Sequence, residues 1–586
     1  MPLGAFISGR SRWMAMTGAA VAALLLVIYG TYLQSDFVLW DDDFLIVQNP
    51  LIRSLSFASI WTAFTSYDPE LYIPLTFLSY QLNYLIGGLN PFIYHLTNLL
   101  LHAVNALLVT GIAYKLSSKT TWIAVVCGLL FAVHPLHTEA VMWASARKDV
   151  LASTFFLSSL LLYLERERAF VPAYIGSILA FFLALLSKVS AITLPLVLLL
   201  IDWREHRQWN RTMIMEKIPY FLLSIAFGII ALFGKTQQVA ESTLLETILV
   251  MVKGIVFYMQ KLFVPLHLSP LYPYIGEIQL SEPAFLVPVI ILAALYALAV
   301  FALRLNRDLL FALLFFVITV AASALNFRKG EGGDIYFASD RYAYLASFSV
   351  IFLVCVFLYH VREKIPALIS TGVIAIAVAT LSFLSYTQAA IWSNSETLFT
   401  AVIASYPNAQ AAHHNLGVLY QQRGQTTEAM AAYERAIMIA PKASSESNIG
   451  DMWRELGEST LATQHYQRAL ALNASSVDAY LGMGLLHLQS GNTGAAIIAF
   501  QKVTELAPAD PRGHLNLGAA LLRAKRTDEA IAEYEKAIEL DPLSAAAHFN
   551  LAVALDRIGQ TDEADQYFQR AVELDPEFAE AVEAAR

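Results

Sequence analysis

Three consecutive carboxylates, Asp41, Asp42 and Asp43, follow Trp40 and precede an apolar segment. Adjacent ionised carboxylates repel one another, so the pKa of at least one should rise unless a cation or a hydrogen-bond donor compensates. A carboxylate that titrates near neutral pH can act as a general base and take a proton from a hydroxyl group. The triplet is therefore a candidate catalytic group, although a solvated acidic loop or a helix N-cap would also account for it.

A second polar cluster, between two hydrophobic stretches, contains His134, His137, Glu139 and Arg147. Polar groups at membrane depth are costly and are usually functional. The two histidines with Glu139 could be interpreted as a metal site, but their spacing is not HExxH. In addition, Pro135 interrupts the helix that would present both histidines on one face. We favour a structural or substrate-orienting role and predict no resident metal or cofactor, with a divalent ion as the alternative.

Two cations stand close to the ends of hydrophobic stretches. Lys188 occupies a short turn between two of them, and Arg341 begins the polar segment that precedes another. Lys188 is either a snorkelling lysine or a phosphate contact. Arg341 suits a phosphate monoester or diester, because its guanidinium fork donates two parallel hydrogen bonds.

The elements that must position these groups are hydrophobic helices. The chain has 586 residues, of which 57% are hydrophobic and 15% charged, and its mean hydropathy is +0.54 although its last third is hydrophilic. This composition requires many long apolar segments. Eleven are predicted to span the membrane, and the first is too long for a signal peptide. They run over about 14–33, 91–114, 120–135, 149–164, 171–187, 190–202, 218–234, 285–303, 308–325, 343–360 and 365–386.

The charges of the connecting loops predict the orientation. Lys115, Arg204 and Arg362 lie on alternate loops, and basic loops mark the cytoplasmic side. The N-terminus is then cytoplasmic, and eleven spans place both polar clusters, both cations and the C-terminal region on the opposite face. Residues 248–264 are apolar enough for a twelfth span, but Lys253 and Lys261 favour an interfacial or re-entrant helix.

The C-terminal third repeats itself every 33 or 34 residues. Each repeat has small residues on its first helix and, on its second, an alanine followed by an aromatic residue. This pattern resembles the tetratricopeptide repeat and predicts an α-solenoid of paired helices. The repeats span about 408–441, 442–474, 475–508, 509–542 and 543–576. The resemblance implies that asparagines of the first helices bind the backbone of an extended acceptor peptide, namely Asn415, Asn448, Asn516 and Asn550.

Charge also separates the two regions. From Trp392 onward there are 25 acidic and 14 basic residues, so this part carries −11 of a total net charge of −9. The acidic surplus argues against a nucleic-acid partner for the repeats. We therefore predict two domains, a membrane domain over 1–391 and a repeat domain over 392–586.

Taken together, WDDDFLIVQNP, HPLHTEAVMWASARKD, the Ser187-Lys188 turn and SDRYAYL, followed by the repeats, resemble the transmembrane and tetratricopeptide-repeat (TMTC-like) proteins. These are type-C glycosyltransferases related to protein O-mannosyltransferases. The resemblance implies a polyprenyl-phosphate sugar as co-substrate and sugar transfer on the non-cytoplasmic face. It also implies a catalytic aspartate at Asp41 or Asp42, with Asp41 favoured. Ala346, where proline is usual, and Asp340, where glutamate is common, depart from the family pattern.

The sequence thus predicts an all-α protein, a polytopic membrane bundle followed by a solenoid. We expect it to transfer a sugar, mannose by the resemblance, from a polyprenyl phosphate to Ser or Thr of a protein held by the repeats. Arg341, Lys188, His134, His137, Glu139 and Arg147 are the predicted donor-binding residues. The expected location is a bacterial inner membrane with the repeats in the periplasm. The alternatives are a non-enzymatic scaffold that recruits periplasmic proteins and a glycosyltransferase that modifies envelope polysaccharide.

Overall fold

The computed structural model describes residues 9–67, 71–166, 170–234, 243–303, 307–324, 328–329 and 335–585. The chain divides into two compact units, Met1–Asn415 and Leu416–Arg586. The first unit thus continues beyond residue 391, where the composition changes. It does so because residues after that point pack onto it: Trp392 stacks on Trp143, with ring centroids 6.0 Å apart.

The first unit is helical over most of its described length. It contains α1 (Gly9–Tyr29), α2 (Phe57–Thr65), α3 (Pro74–Gly87), α4 (Pro91–Leu116), α5 (Thr121–Ala132), α6 (Thr138–Met142), α7 (Arg147–Glu165), α8 (Phe170–Ser187), α9 (Leu194–Arg204), α10 (Arg211–Met215), α11 (Ile218–Gly234), α12 (Leu244–Phe263), α13 (Pro283–Ala302), α14 (Asp308–Ala324), α15 (Ser347–Arg362), α16 (Ala367–Ala390) and α17 (Ser395–Ser405). The next helix, α18 (Gln410–Gln422), crosses the boundary between the units.

All eleven predicted hydrophobic stretches form helices, which confirms a multi-pass membrane protein. Within the described residues, five helices are long and apolar enough to cross a bilayer: Arg12–Tyr32, Pro91–Leu116, Arg211–Gly234, Pro283–Ala302 and Ala367–Ala390. A sixth candidate is the pair Thr121–Ala132 and Pro135–Met142, bent by 54°. Shorter apolar helices include Val171–Ser187, Asp308–Ala322 and Ser347–Arg362. The number eleven stays a prediction, as does the interfacial placement of α12.

The all-α prediction is confirmed, and the structure adds one small sheet. Three two-residue strands, β1 (Pro273–Tyr274), β2 (Arg328–Lys329) and β3 (Ile335–Tyr336), pair antiparallel in the order β1-β3-β2. Pro273 lies opposite Tyr336, and Arg328 lies opposite Tyr336 on the other side. Two-residue strands carry no alternating pattern long enough to be detected in a sequence. They join the segments that follow α12 and α14.

Helices α4, α5, α7 and α8 form the centre of the membrane unit, where α7 packs against both α4 and α8. Gly128 of α5 approaches α4 so closely that a Cβ atom there would collide with the side chain of Thr110. The residue before α6, His137, and the residues that begin α7 are fully or nearly fully buried. The polar segment 134–149 therefore lies inside the protein.

A buried ionic cluster ties the ends of α7 and α9 to Lys217, the residue that precedes α11, at one end of the bundle. Asp202 is fully buried and accepts hydrogen bonds from Tyr163, Lys217 and Arg166 at 2.6–3.0 Å. A buried carboxylate is tolerated when it is paired and hydrogen-bonded, as Asp202 is. This cluster fixes the packing of three helices and lies in the segments predicted to face the cytoplasm.

The second unit consists of helix pairs that match the predicted repeats. After α18 come α19 (Thr426–Ile439), α20 (Ala443–Glu455), α21 (Ser459–Leu472), α22 (Val477–Gln489), α23 (Thr493–Leu506), α24 (Pro511–Arg523), α25 (Thr527–Leu540), α26 (Ala545–Arg557), α27 (Thr561–Leu574) and α28 (Phe578–Ala585). The small and aromatic residues meet within a repeat. A Cβ atom at Gly450 or Gly518 would lie 2.6 Å from the ring of Tyr466 or Tyr534.

The turn inside each repeat needs a left-handed backbone. Gly424, Gly457, Gly491 and Gly559 have φ between +69° and +84°. Lys525 takes the equivalent place in the fourth repeat with φ of +61°. A residue with a side chain is strained in this region, so the turn geometry is imposed there by the two helices that it joins.

Candidate active site

Asp42 anchors the first loop. Its side chain is buried, with Oδ1 accepting bonds from the backbone N–H and the hydroxyl of Ser145 at 2.9 and 2.5 Å. Its Oδ2 accepts from the N–H of Val38 at 3.0 Å. Burial raises the pKa of Asp42 to about 7, against the opposing effect of these hydrogen bonds. Because both oxygens accept hydrogen bonds from the protein and the residue is only 1% exposed, Asp42 holds the loop in place and is not accessible to a substrate.

Asp41 is the carboxylate that faces other charges. Its Oδ2 lies 2.9 Å from Nζ of Lys148, and its side chain is 36% exposed. Burial alone would raise the pKa of Asp41, but Lys148 and Arg341 outweigh that effect and hold the pKa below its ordinary value. Asp41 is therefore ionised at neutral pH, with Oδ1 available for a proton.

Two further ion pairs stand close to Asp41. Nζ of Lys188 lies 2.5 Å from Oδ1 of Asp149, at the start of α7. The guanidinium of Arg341 is bound by Glu139, whose carboxylate also accepts from the backbone N–H of Arg341 at 3.0 Å. Lys188 and Arg341, predicted as phosphate contacts, therefore lie in one cluster. Glu139 fixes Arg341 by binding both its guanidinium and its backbone N–H.

Aromatic rings support these cations. The guanidinium carbon of Arg341 lies 4.7 Å from the ring centroids of both Trp143 and Tyr342. Nζ of Lys148 lies 5.7 Å from the Trp143 ring, and Nζ of Lys188 lies 5.3 Å from that of Tyr342. Cations over aromatic faces are attracted by the ring quadrupole. Trp143 and Tyr342 thus hold the three cations in one region without adding negative charge.

The two predicted histidines lie in the interior. Nδ1 of His134 accepts from the N–H of Leu136, and its Nε2 contacts the carbonyl oxygen of Leu262 at 3.0 Å. His137 contacts the carbonyl oxygen of Phe131 and the hydroxyl of Ser347. All four ring nitrogens are therefore used within the protein. These contacts give both histidines a structural position and leave their predicted substrate-binding role without an accessible atom.

The structure does not bring Arg147 to this cluster either. Its guanidinium is fully buried and donates to the side chains of Asn98 and Ser79 and to the carbonyl oxygen of Tyr94. The neighbouring residues Lys148 and Asp149 face the cluster instead. Successive helical residues point in directions about 100° apart, so a run of three charges cannot all face one site.

The loop that carries Arg341 is fixed by a buried carboxyl group. Asp340 accepts a hydrogen bond of 2.6 Å from the hydroxyl of Tyr272. Burial, together with the nearby charge of Glu139, raises the pKa of Asp340 well above its ordinary range. Asp340 therefore favours its neutral form, which avoids a second buried negative charge beside Glu139.

A cleft opens beside these ion pairs. It is lined by residues of α7, of the turn after α8, and of the segment before α15, including Asp149, Ser153, Lys188, Ser190, Arg341 and Tyr342. Thr319 of α14 also contributes. Such a cleft can hold an anionic group on its cations, with the carboxylate of Asp41 close enough to feel those charges. Within the described residues, no group of three or more His, Cys, Asp or Glu side chains could hold a metal ion.

The sequence identified four of the groups at this site: Asp41, Lys188, Glu139 and Arg341. It gave no site role to Lys148, Asp149, Trp143 or Tyr342, although all four stand in the motifs that were quoted. The available signal was their position at the helix ends beside the identified residues, but a one-dimensional pattern gives no cross-chain pairing. The roles of all these residues remain predictions.

The predicted acceptor-binding asparagines lie on the first helices of their repeats and are half-buried. The side-chain amide of Asn448 donates to the hydroxyl of Tyr433, and that of Asn516 donates to the carbonyl oxygen of Arg512. Asn415 and Asn550 occupy the corresponding turns of α18 and α26. An asparagine has four hydrogen-bonding positions, so those already bonded can still contact a peptide.

Comparison with known proteins first defines the repeats. Residues 410–443, 477–510 and 515–577 match patterns described as tetratricopeptide repeat, and residues 450–491 match one described as TPR repeat. Similar solved structures include MamA, at 24% identity over 29% of this chain and 94% of that chain, with a TM-score of 0.25. Another is YrrB, at 20% identity over 32% of this chain and 96% of that chain, with a TM-score of 0.26.

The fold and the matches to repeat patterns define a multi-pass membrane protein that carries tetratricopeptide repeats. Its relatives include human protein O-mannosyl-transferase TMTC1, 27% identical over 74% of this chain and 57% of that protein. The mouse TMTC1 protein is 26% identical over 73% of this chain and 59% of its own length. Human TMTC2 is 39% identical over 25% of this chain and 18% of its own length. The chain is thus similar to the TMTC1 and TMTC2 proteins, which confirms the resemblance that its motifs indicated, and it spans less than two thirds of the length of the TMTC1 proteins.

Proposed function

We propose that this chain is a membrane glycosyltransferase that moves a mannosyl group from a polyprenyl phosphate to a Ser or Thr hydroxyl of a protein. Relatives that carry the name protein O-mannosyl-transferase support the class of reaction. The observation that carries the proposal is the ionised Asp41 beside Lys148, in the same cluster as Lys188 and Arg341.

Asp41 acts as the general base in this proposal. Its carboxylate takes the proton of the acceptor hydroxyl while the hydroxyl oxygen attacks C1 of the sugar. The bond between C1 and the phosphate oxygen breaks, its electron pair stays on that oxygen, and polyprenyl phosphate leaves. A pKa held below the ordinary range makes Asp41 a weak base but keeps it ionised, so positioning must supply much of the rate enhancement.

Lys188 and Arg341 bind the donor phosphate and stabilise the charge that grows on the leaving oxygen. Both are already fixed by carboxylates and aromatic rings, so little reorganisation is needed when the charge develops. The proposed donor carries its phosphate at the membrane surface, which suits a cleft built from helix ends. Glu139 holds the arginine, and Asp42 holds the loop that presents Asp41.

The repeats bind the acceptor protein and take no part in the chemistry. Their shared glycine, alanine and aromatic residues are explained by helix packing, which leaves the varied residues of the first helices for recognition. A tethered binding array raises the local acceptor concentration without changing the chemical step. We further propose that the protein resides in a bacterial inner membrane, with the cleft and the repeats on the periplasmic side, as the charges of the loops predict.

The test is a transfer assay with the purified full-length protein in lipid nanodiscs. Polyprenyl-phosphate [³H]mannose is supplied with periplasmic proteins, with envelope polysaccharide, or with neither. We expect label on protein, released by mild alkali as from an O-linked sugar. Label on polysaccharide alone would instead support the envelope-modifying alternative. Absence of transfer and of donor binding, with the protein still folded, would support the scaffold.

A further inference from the structure

Two buried polar atoms in the cleft make no hydrogen bond to any described residue. They are Oδ2 of Asp149 and Nε of Arg341, and they face each other across 4.0 Å. That separation is too long for a hydrogen bond between them. A buried donor and a buried acceptor that stay unpaired are costly, so a group bound between them would relieve that cost.

The gap cannot close easily, because each residue is held by its other atoms. Oδ1 of Asp149 is fixed by Lys188 at 2.5 Å. The guanidinium of Arg341 is bound at its Nη1 atom by Glu139 and Ser339, and its Nη2 atom lies 3.3 Å from the hydroxyl of Tyr342. Moving Arg341 towards Asp149 would break these contacts. The opposed donor and acceptor are therefore a preorganised pair.

The chemistry of the gap selects its occupant. A phosphate diester oxygen only accepts hydrogen bonds, so it would satisfy Nε of Arg341 but leave Oδ2 of Asp149 without a donor. A hydroxyl group does both: its O–H donates to Oδ2, and its oxygen accepts from Nε. One oxygen can lie within about 2.7–3.0 Å of two atoms that are 4.0 Å apart.

We infer that Asp149 and Arg341 form a hydroxyl-binding subsite that recognises the sugar of the donor, with Asp149 as a specificity-determining residue. This inference rests on the proposed function, because it assigns part of the same cleft to the sugar. The phosphate is then bound by the Lys188 side of the cleft. Arg341 contacts both parts of the donor, with its Nε atom turned to the sugar.

The consequence is a difference between two ligands. A site that hydrogen-bonds a hydroxyl discriminates strongly against a ligand that lacks it, because its buried groups are then left unpaired. Mannosyl polyprenyl phosphate should therefore bind more tightly than methyl polyprenyl phosphate, a diester with the same single negative charge and no sugar, by about ten- to a hundredfold for a bond to a charged group. Asp149 should account for this preference and Lys188 should not.

The experiment compares both lipids, each with a short water-soluble prenyl chain, on the full-length protein in nanodiscs. Asp149→Asn keeps the size of the side chain but replaces a carboxylate oxygen by an amide. We expect the preference for the mannosyl lipid to disappear while the affinity for the sugar-free lipid stays equal or rises, since a negative charge has gone. The matched control is Asp308→Asn, which also removes the charge of an aspartate in an ion pair, here with Arg204. Asp308 begins α14, whereas the cleft residue of that helix, Thr319, lies towards its other end.

Each other outcome overturns the inference in a distinct way. Equal losses of affinity for both lipids in Asp149→Asn would show that Asp149 serves only to hold Lys188. Equal gains would show that it is only a counter-ion. A wild-type protein that binds both lipids equally would refute the sugar subsite while leaving the phosphate site. A wild-type protein that binds neither lipid would refute the proposed function itself.

A panel of deoxy donors sharpens the assignment. One donor that lacks a single sugar hydroxyl should bind the wild-type protein more weakly than the mannosyl donor does. The Asp149→Asn variant should bind that deoxy donor and the mannosyl donor equally well. This loss of discrimination is specific to a direct contact, and a general loosening of the cleft would not produce it. If every deoxy donor binds the wild-type protein as tightly as the mannosyl donor does, no sugar hydroxyl lies between Asp149 and Arg341, and the subsite assignment is wrong.

Discussion

The ion pairs around the cleft of the membrane unit join residues far apart in the sequence, whereas several ion pairs of the repeats join residues one helical turn apart. Arg341 binds Glu139, 202 residues away, and their side chains are 13% and 1% exposed. Lys536 binds Glu539, three residues away, and their side chains are 45% and 70% exposed. The first kind of pair fixes the geometry of a cleft. The second kind lies on the exposed surface of a solenoid whose stability comes from apolar packing.

This difference shows where function can be sought in such a chain. Buried ion pairs are costly to form, because both charges lose their hydration, and only their mutual attraction and further hydrogen bonds offset that loss. Several such pairs around one cleft, joined by cations over aromatic rings, therefore indicate a purpose other than stability. The repeats have no comparable cluster among their described residues, and their function rests on shape and on the varied residues of their first helices.

The largest expected effect concerns the base. Asp41→Asn should lower the turnover of sugar transfer by about 10²–10⁴-fold, because a positioned general base contributes on that scale. The measurement is single-turnover transfer under saturating donor. Asp43→Asn is the matched control, since burial alone raises the pKa of Asp43 and no cation acts on it. A fully active Asp41→Asn variant would show that Asp41 is not the base, and the contrast between a catalytic cleft and a packing-stabilised solenoid would lose its catalytic part.

The fold of the repeats was predictable because its determinants are local. A glycine on one helix and an aromatic residue 16 positions later meet in each of the first four repeats, for example Gly417 with Tyr433. The positive φ of the turn recurs at fixed positions, even where Lys525 replaces glycine. Membrane helices were predictable from apolar length. The three short strands were not, because two residues carry no periodic signal.

The site was predictable only in part, for a physical reason. Residue type and position at a helix end indicated Asp41, Lys188 and Arg341. The pairing of Asp41 with Lys148 depends on how α7 is rotated against a loop 107 residues earlier, and no local pattern records that rotation. The same limit explains Arg147: the arginine motif was conspicuous in the sequence, yet helix geometry turns it into the core.

A second prediction tests the packing side of the comparison. In Gly518→Ala the new Cβ atom would lie 2.6 Å from the ring of Tyr534, so we expect the free energy of unfolding to fall by about 1–3 kcal/mol. Gly494→Ala is the matched control, since its Cβ would meet nothing within 4 Å and alanine favours helix. Its stability should stay equal or rise. Thermal unfolding monitored by circular dichroism measures both, and equal stability of the two variants would show that the aromatic contact is not limiting.

A third prediction concerns pH. Lys148 helps to hold the pKa of Asp41 below its ordinary value, and Asp41 acts only when it is deprotonated. In Lys148→Gln that pKa should rise, so the acid limb of kcat/KM should move to higher pH, while activity on the alkaline side of the limb changes less. Lys115→Gln is the control, because Lys115 pairs with Glu165 and not with Asp41. An unmoved acid limb in Lys148→Gln would mean that another group controls it, such as Asp42, whose pKa is about 7.

The smallest expected effect lies on the surface of the repeats. Arg570 and Glu573 stand 2.9 Å apart on α27, one turn from each other, and both side chains are about half exposed or more. Water and salt screen such a pair, and ordering two long side chains offsets the attraction. We therefore expect Arg570→Gln to leave the midpoint of thermal unfolding unchanged at physiological salt, and sugar transfer unchanged as well. Repeating the melt at low salt should reveal at most a slight shift.

A clear loss of stability that persists at high salt would show that the exposed pairs contribute to the solenoid itself, and the contrast between the two regions would then be one of degree. Loss of transfer without loss of stability would instead place Arg570 on the surface that the acceptor binds.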